Sequence, residues 1–185
     1  DVPVHADAKE ALKLLTELVQ EKQHPVWLNE FTEAKKTEVE TLQKSSELLF
    51  SSELKMDEVI KILSEITNGE AVVVTDVGQH QMMTARYYNY NKSKSNITSG
   101  GLGTMGFALP AAIGAKFGTP DKTVIAVIGD GGFQMTLQEL GTILQSKVEV
   151  KIIILNNRFL GMVRQWQDLF FEKRYSFTEI MSPDF

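Results

Sequence analysis

The sequence contains no cysteine among its 185 residues. This absence excludes a disulfide framework, a thiolate zinc site and a cysteine nucleophile, and nothing in the composition indicates an oxidising compartment. Long apolar runs are missing too, since none approaches the roughly 18 residues that cross a bilayer. No basic segment followed by an apolar one marks a signal peptide at the start of the chain. We therefore expect a soluble intracellular protein that has no membrane as a partner.

Positive charge is also scarce. Nineteen Lys and Arg residues stand against 24 Asp and Glu residues, which gives a net charge of −5 without long runs of one sign. Because phosphate backbones bind broad cationic surfaces, we expect no nucleic acid as a partner. Hydrophobic residues make up 43% of the chain and suffice for a substantial core, so a disordered or fibrous protein is not expected. The chain starts at Asp1 rather than at Met, which predicts part of a longer protein.

Two segments in the N-terminal part of the chain have the apolar periodicity of amphipathic helices. The first follows Asp7, an N-cap residue with Glu10 three positions later, and the second spans residues 57–67. Between them, residues 29–52 carry few apolar and many charged side chains, which predicts a solvated helix or a connection between domains. We therefore predict a domain boundary close to residue 55.

Three apolar runs have the length and composition of buried strands, and each ends in a polar or glycine-rich loop. These runs are residues 71–75, 123–128 and 151–155, and one helix is predicted between the last two, with apolar residues from Met135 to Leu144. Strands that are apolar on both faces and alternate with helices indicate an α/β fold with a parallel sheet flanked by helices. In such sheets ligands bind beyond the carboxyl ends of the strands.

The segment Gly129-Asp130-Gly131 follows the second of these strands, and Asn156-Asn157 follows the third. Glycines at a strand-to-helix turn let backbone N–H groups approach a phosphate closely, while a carboxylate beside them faces a cation. If the two strands are neighbours, Asp130 and Asn157 reach the same edge, where their oxygen atoms are hard ligands that suit Mg²⁺. The alternative is that Asp130 only caps the helix that follows it.

Residues 100–106 contain the spacing Gly101-x-Gly103-x-x-Gly106, which formally matches a dinucleotide-binding fingerprint. That motif should follow a buried strand directly and should have an acidic residue about twenty positions further on. The preceding residues 92–99 are polar, so we predict no strand in front of the loop and reject the dinucleotide interpretation. A glycine-rich loop without a chemical role is the remaining alternative.

Four segments together resemble the acetolactate synthase (acetohydroxyacid synthase) family, whose catalytic subunit is a thiamine diphosphate enzyme. They are residues 75–82, 100–110, 129–140 and 156–167, and they include the family's Gly-Asp-Gly followed by Asn-Asn. The resemblance covers residues 56–185 and implies the C-terminal thiamine diphosphate/Mg-binding domain, with the last part of that domain missing after Phe185. It also implies that residues 1–55 are the tail of a preceding middle domain and an inter-domain linker.

The resemblance implies a cofactor site that contains magnesium. In the family's arrangement Asp130, Asn157 and the backbone carbonyl of Phe159 hold the ion. The carbonyl of Gly103 meets the aminopyrimidine of the cofactor, and Met105 holds the cofactor in a bent conformation. The residues implied to bind the cofactor are Gly78, Gln79, His80, Gly103, Met105, Gly129, Asp130, Gly131, Gly132, Asn157, Gly161, Met162 and Val163.

Three residues of one predicted helix face, Met162, Val163 and Trp166, are implied to form the wall of the substrate channel. Because they lie at i, i+1 and i+4, the alternative is that Trp166 is an ordinary core residue. His80 also has two interpretations, a contact to the diphosphate or a polar residue satisfied within the protein. The family's activating glutamate belongs to an N-terminal domain of the other subunit, so no catalytic residue is expected in this chain, and Glu139 does not take that role.

The family decarboxylates pyruvate and joins the two-carbon unit to a second pyruvate or to 2-oxobutanoate, in branched-chain amino-acid biosynthesis. The resemblance therefore implies thiamine diphosphate and Mg²⁺ as cofactors, FAD in the middle domain, a homodimer or homotetramer, and a regulatory small subunit. It implies a cytoplasmic protein in a bacterium and an organellar matrix protein in a eukaryote. The isolated chain is expected to be inactive. The alternatives are another thiamine diphosphate-dependent 2-oxo acid decarboxylase or carboligase, and a non-catalytic cofactor-binding fragment.

Two positions depart from the family's pattern. Met83 stands where the family commonly has Trp, and Gly132 stands where it commonly has Ser. Neither change removes a predicted ligand, although the first alters a residue expected in the pocket wall.

Overall fold

The computed structural model describes residues 2–47 and 54–185, and the chain divides into two units, Asp1–Ser52 and Glu53–Phe185. The first unit contains helix α1 (Ala8–Leu18) and helix α2 (Pro25–Glu47). Asp7 caps α1 as predicted, because its Oδ1 accepts hydrogen bonds from the backbone N–H groups of Lys9 and Glu10 at 3.0 and 3.3 Å. Helix α2 covers most of the predicted solvated segment, and residues 48–52 of that segment lie outside the described residues.

The second unit alternates helices with strands, as the sequence predicts. Its elements in chain order are α3 (Met56–Ile66), β1 (Val72–Thr75), α4 (Gln79–Tyr87), β2 (Asn96–Thr98), α5 (Ala108–Gly118), β3 (Val124–Gly129), α6 (Asp130–Thr136), α7 (Glu139–Ser146), β4 (Lys151–Leu155) and α8 (Gly161–Phe170). The strands form a parallel sheet in the order β2-β1-β3-β4. The predicted α/β fold class is confirmed.

The core lies on both faces of the two central strands, β1 and β3. Successive strand residues point to opposite faces, so Val72 and Val74 pack with α5 in one buried cluster, while Val73 packs with Ile60 and Leu63 of α3 in the other. All residues of β1 and β3 are buried. Long apolar runs without polar alternation are what a strand covered on both faces requires, which is why these two strands could be read from the sequence.

The predicted helix over residues 135–144 is wrong, because the chain forms two shorter helices there. Helix α6 begins at Asp130, directly after β3, and α7 begins at Glu139. At the junction the N–H groups of Leu140 and Gly141 bond to carbonyl groups three residues back, those of Leu137 and Gln138, at 3.1 and 3.0 Å. Bonds between residues three apart are typical of a 3₁₀ turn, which interrupts the α-helix. No glycine or proline at residues 137–138 indicates this break in the sequence.

Three further expectations need correction. Strand β2 precedes the glycine-rich loop, although no strand was predicted there; it is three residues long and lies at the edge of the sheet, where polar residues are tolerated. Strand β4, the other edge strand of the described sheet, is half-buried rather than fully covered. Gln79 and His80 lie in the first turn of α4 and not in a loop.

Within residues 2–47 and 54–185, no helix is long and apolar enough to cross a membrane.

Candidate functional site

The carboxyl edge of the sheet bounds one cavity. The register pairs Thr75 at the end of β1 with Val127, and Gly129 at the end of β3 with Leu155 at the end of β4, so the segments after these strands meet. Phe159 and every residue predicted to bind the cofactor line this cavity, namely Gly78, Gln79, His80, Gly103, Met105, Gly129, Asp130, Gly131, Gly132, Asn157, Gly161, Met162 and Val163. The sequence therefore identified most of the cavity wall, and the apolar lining residues Met56, Val77, Leu155 and Leu160 were not singled out.

Asp130 is 1% exposed and is the first residue of α6. Gly129 occupies the N-cap position, and α6 has no side-chain cap hydrogen bond, so the alternative in which Asp130 only caps its helix is wrong. Instead Asp130 Oδ2 accepts a hydrogen bond from the Ser182 hydroxyl at 2.7 Å. A buried carboxylate that faces a cavity and not its own helix is available to a cation.

Asn157 lies in a tight turn directly after β4. The side chains of Asn156 and Asn157 accept hydrogen bonds from the N–H groups of Arg158 and Phe159, at 3.2 and 3.0 Å. Arg158 has a φ of 62°, a left-handed conformation that a residue other than glycine rarely adopts. Such strained residues cluster at functional sites, and this one reverses the chain between the two candidate ligands, Asn157 and the Phe159 carbonyl.

Gln79 connects this turn to two helices. Asn157 Nδ2 donates to Gln79 Oε1 at 3.5 Å, and Gln79 Nε2 donates to Gln165 Oε1 of α8 at 3.2 Å. The two bonds orient the Asn157 amide, because its nitrogen is held towards Gln79. Gln165 is not among the predicted site residues, although it lies in the segment 156–167 that resembles the family.

His80 is 6% exposed and its Nε2 atom has no hydrogen-bond partner. Its ring lies between Gly78 and Gly129, where a Cβ atom on either glycine would come within 2.8 or 2.9 Å of His80 Cε1. Burial lowers the pKa of His80 below 6.5 and outweighs the attraction of Asp76 and Asp130. The interpretation of His80 as a polar residue satisfied within the protein is therefore wrong, and an unpaired buried nitrogen in a cavity wall points to a ligand.

The lowered pKa of His80 predicts a loss of stability in mild acid. Between the unfolded pKa of about 6.5 and the lower folded value, the unfolded chain binds a proton that the folded protein does not. The melting temperature of the protein without ligand should therefore fall as the pH drops from about 7 to about 5. His80→Gln should reduce this fall, whereas His24→Gln, at an exposed histidine, should leave it unchanged. An equal fall of the melting temperature in wild type and in His80→Gln would contradict the lowered pKa of His80.

The glycine-rich loop contributes Gly103 and Met105 to the cavity. Gly103 has a φ of 60°, which glycine adopts without strain, and the Ser99 hydroxyl accepts a hydrogen bond from the Thr104 N–H at 3.0 Å. The Asp76 carboxylate accepts hydrogen bonds from the N–H groups of Gly106 and Ala108, at the N-terminus of α5. A dinucleotide pyrophosphate would need this helix N-terminus, so the dinucleotide interpretation stays rejected although a strand does precede the loop.

Residues near the end of the described chain pack against the turns that line the cavity. Thr178 and Ile180 pair with the turn after β4, through a bond from Leu160 N–H to the Thr178 carbonyl at 2.7 Å and one from Ile180 N–H to the Arg158 carbonyl at 2.8 Å. A Cβ on Gly131 would lie 2.8 Å from Ile180 Cδ1, so this segment packs tightly against the Gly-Asp-Gly turn. No local sequence pattern predicts these contacts, because they join residues far apart in the chain.

Trp166 does not line the cavity. It lies one helical turn after Met162 on α8, its side chain is 58% exposed, and its ring contacts that of Phe170 at 4.9 Å. The alternative in which Trp166 is a core residue of the described chain is therefore wrong. Its role in a substrate channel stays a prediction.

A metal ion at this cavity would need a mixed set of ligands. Within the described ranges, no group of three or more His, Asp or Glu side chains could hold a metal ion. Asp130, the amide oxygen of Asn157 and the carbonyl of Phe159 are all hard oxygen donors that line the same cavity. One carboxylate with neutral oxygens fits Mg²⁺, which usually keeps positions for water and phosphate.

Comparison with known proteins identifies one family. The family described as thiamine pyrophosphate enzyme, C-terminal TPP binding domain, matches residues 76–185. Similar curated proteins include the acetolactate synthase large subunit of Lactococcus lactis, 45% identical over 177 residues that cover 95% of this chain and 30% of that protein. The acetolactate synthase isozyme 3 large subunit of Escherichia coli is 43% identical over 189 residues, covering 100% of this chain and 33% of that protein. The chloroplastic acetolactate synthase 1 of Nicotiana tabacum is 42% identical over 188 residues, covering 98% of this chain and 27% of that protein.

The chain spans about a third of the length of these relatives. The similarity is not confined to the cavity-forming unit, because the alignments cover nearly all of the chain and therefore include most of the unit Asp1–Ser52.

Proposed function

Because the chain belongs to the thiamine pyrophosphate enzyme family, as its C-terminal cofactor-binding domain, we propose that the cavity at the carboxyl edge of the sheet binds thiamine diphosphate (thiamine pyrophosphate) together with Mg²⁺. The observation that carries the proposal is that all residues assigned to the cofactor line one cavity, although they lie far apart in the chain. The site suits a thiamine cofactor better than a dinucleotide. The pyrophosphate of a dinucleotide would bind at the N-terminus of α5, and the Asp76 carboxylate already occupies that position.

The residues of the Gly-Asp-Gly and Asn-Asn turns hold the diphosphate end. Asp130, Asn157 and the Phe159 carbonyl bind the ion, and the backbone of the Gly-Asp-Gly turn binds the phosphate groups. A Cβ on Gly132 would come 2.5 Å from Asp76 Oδ1, so glycine suits this position in this chain.

His80 supports the diphosphate from beside the Gly-Asp-Gly turn, because its ring packs against Gly129. Its Nε2 atom is buried and has no hydrogen-bond partner, and burial holds the pKa of the imidazole below its usual value. A diphosphate placed beside this atom raises the pKa of the imidazole, because an anion favours the charged form. His80 then takes up a proton at Nε2 and donates a hydrogen bond to the phosphate.

The loop of Gly103 and Met105 holds the other end of the cofactor, and α8 borders the reacting centre with Met162 and Val163, followed by Trp166 one turn later. When bound, thiamine diphosphate supplies the chemistry that releases carbon dioxide from a 2-oxo acid and transfers the remaining two-carbon unit. We assign acetolactate synthesis to the complete protein, from pyruvate and a second pyruvate or 2-oxobutanoate. The support is 42–45% identity to proteins of that name over nearly the whole chain.

The same comparisons support partners outside this chain. The bacterial relatives are named large subunits, so we propose a regulatory small subunit as a partner, and a homodimer or homotetramer in which the other subunit supplies the activating glutamate. Residues 1–55 then form the end of a middle domain that carries FAD, together with a linker. The tobacco relative is named chloroplastic, so we propose the bacterial cytoplasm or a eukaryotic organelle as the location, according to the source.

The proposed activity predicts the product that the full-length protein makes from pyruvate. With Mg²⁺ and thiamine diphosphate present, acetolactate should be the main product, and omission of either cofactor should abolish its formation. The measurement is product analysis by chromatography after incubation with pyruvate. Acetaldehyde as the main product would indicate a different thiamine diphosphate-dependent decarboxylase and contradict the assignment.

A further inference from the structure

Asp76, the residue directly after β1, is fully buried and does not line the cavity. Its Oδ1 accepts hydrogen bonds from the N–H groups of Val77 at 2.9 Å and Gly106 at 3.0 Å, and its Oδ2 accepts one from Ala108 at 2.9 Å. Burial of a carboxylate is unfavourable unless hydrogen bonds compensate for its lost hydration, and here three backbone N–H groups do so. The buried carboxylate therefore holds these three backbone N–H groups in fixed positions.

Two of these three donors lie where the glycine-rich loop ends and α5 begins. Gly106 closes the loop with a φ of 81°, and Ala108 is the first residue of α5. Helix α5 has no other side-chain cap, and the positive end of a helix dipole attracts a carboxylate. Asp76 thus ties the loop and the start of α5 to the end of the central strand β1.

We propose that Asp76 is a positioning residue for the aminopyrimidine end of the cofactor, because it holds the loop in the place where Gly103 and Met105 face the cavity. This inference rests on the proposed function, since it assigns the loop to thiamine diphosphate. None of the proposed ion ligands Asp130, Asn157 and Phe159 bonds to the Asp76 carboxylate, which binds the loop and α5. Asp76 Oδ1 also lies close to Gly132 of the diphosphate end, but Asp76→Asn keeps the volume of the side chain and therefore that contact. The two ends of the cofactor can therefore be tested separately.

The test compares two ligands in the full-length protein, thiamine diphosphate with Mg²⁺ and inorganic diphosphate with Mg²⁺. Asp76→Asn keeps the shape of the side chain but places an NH₂ group against a backbone N–H donor. We expect it to raise the dissociation constant of thiamine diphosphate about tenfold, the effect of about 1.4 kcal/mol. The dissociation constant of inorganic diphosphate should change less than about twofold, below about 0.4 kcal/mol.

Amide hydrogen exchange supplies a second readout. The N–H groups of Gly106 and Ala108 should exchange faster in Asp76→Asn than in wild type. The matched control is Val124→Ala, at a buried residue at the start of β3, which should lower the melting temperature without changing these exchange rates or the ratio of the two dissociation constants. In wild type, Gly106 and Ala108 should exchange far more slowly than the exposed Gly101 and Leu102, which keeps the test available if Asp76→Asn does not fold.

Three outcomes would overturn this inference alone. Equal weakening of both ligands would make Asp76 a general structural residue, and unchanged binding of both would remove its role. Wild-type exchange at Gly106 and Ala108 as fast as at Gly101 and Leu102 would show that the hydrogen bonds do not hold the loop. If the wild type binds no thiamine diphosphate, the proposed function itself is overturned, and this inference with it.

Discussion

Asp130→Ala is expected to abolish the magnesium-dependent binding of thiamine diphosphate, with a dissociation constant at least about 100-fold higher than in wild type. Loss of a residue that only supports a metal ligand already costs about 10- to 100-fold, so loss of the ligand itself should cost more. Asp130 is the only carboxylate among the three candidate donors, and it is 1% exposed, so water screens its charge little. Titration of the cofactor into the full-length variant, with and without Mg²⁺, measures the effect.

Two controls accompany this titration. Asn157→Ala should weaken binding less than Asp130→Ala, because it removes a neutral ligand. Glu139→Ala removes a negative charge from α7, outside the cavity lining, and should leave binding unchanged. Melting temperatures of all variants separate unfolding from loss of a ligand, since Asp130→Ala also removes the acceptor of the Ser182 hydroxyl. Magnesium-dependent binding of wild-type strength in Asp130→Ala would refute the metal site.

Trp166→Leu in the full-length protein is expected to shift the choice between pyruvate and 2-oxobutanoate as second substrate by about 10- to 200-fold, because one methylene on an apolar wall is worth about 1–3 kcal/mol. Trp166 lies one turn beyond the cavity residue Met162, and the centroid of its ring lies 4.9 Å from that of Phe170. An indole face packs better against the extra methyl group of 2-oxobutanoate than against pyruvate. The measurement is the product ratio in a competition between the two substrates at fixed cofactor concentration.

The chain offers a matched control for this substitution. Trp27 of α2 is also 58% exposed and contacts Phe31 four residues later at 4.8 Å, much as Trp166 contacts Phe170. Trp27→Leu should therefore leave the product ratio unchanged. An unchanged ratio in Trp166→Leu as well would exclude Trp166 from the substrate channel.

The central strands and the turns after them could be predicted because their signals are local. An apolar run such as residues 123–128 has no polar alternation, and only burial on both faces explains it. The residues that follow such strands must then gather at one edge, which is why Asp130 and Asn157 could be assigned to one site from the sequence.

The rest of the site depends on contacts between distant segments. Strand β2 was missed because three polar residues at a sheet edge have no periodicity that distinguishes them from a loop. The sequence places Asp76 only within a segment that resembles the family, because its hydrogen-bond donors lie some 30 residues further along the chain. Ser182 donates to Asp130 across 52 positions, and no pattern in either segment indicates that bond.

A crystal structure of the full-length protein with thiamine diphosphate and Mg²⁺ tests the assignment of this cavity most directly. We expect the ion about 2.1 Å from an Asp130 carboxylate oxygen, the Asn157 amide oxygen and the Phe159 carbonyl, with the diphosphate completing the coordination. We also expect His80 Nε2 within hydrogen-bond distance of a phosphate oxygen. A cofactor bound in another cavity, or an ion that does not touch Asp130, would contradict the account.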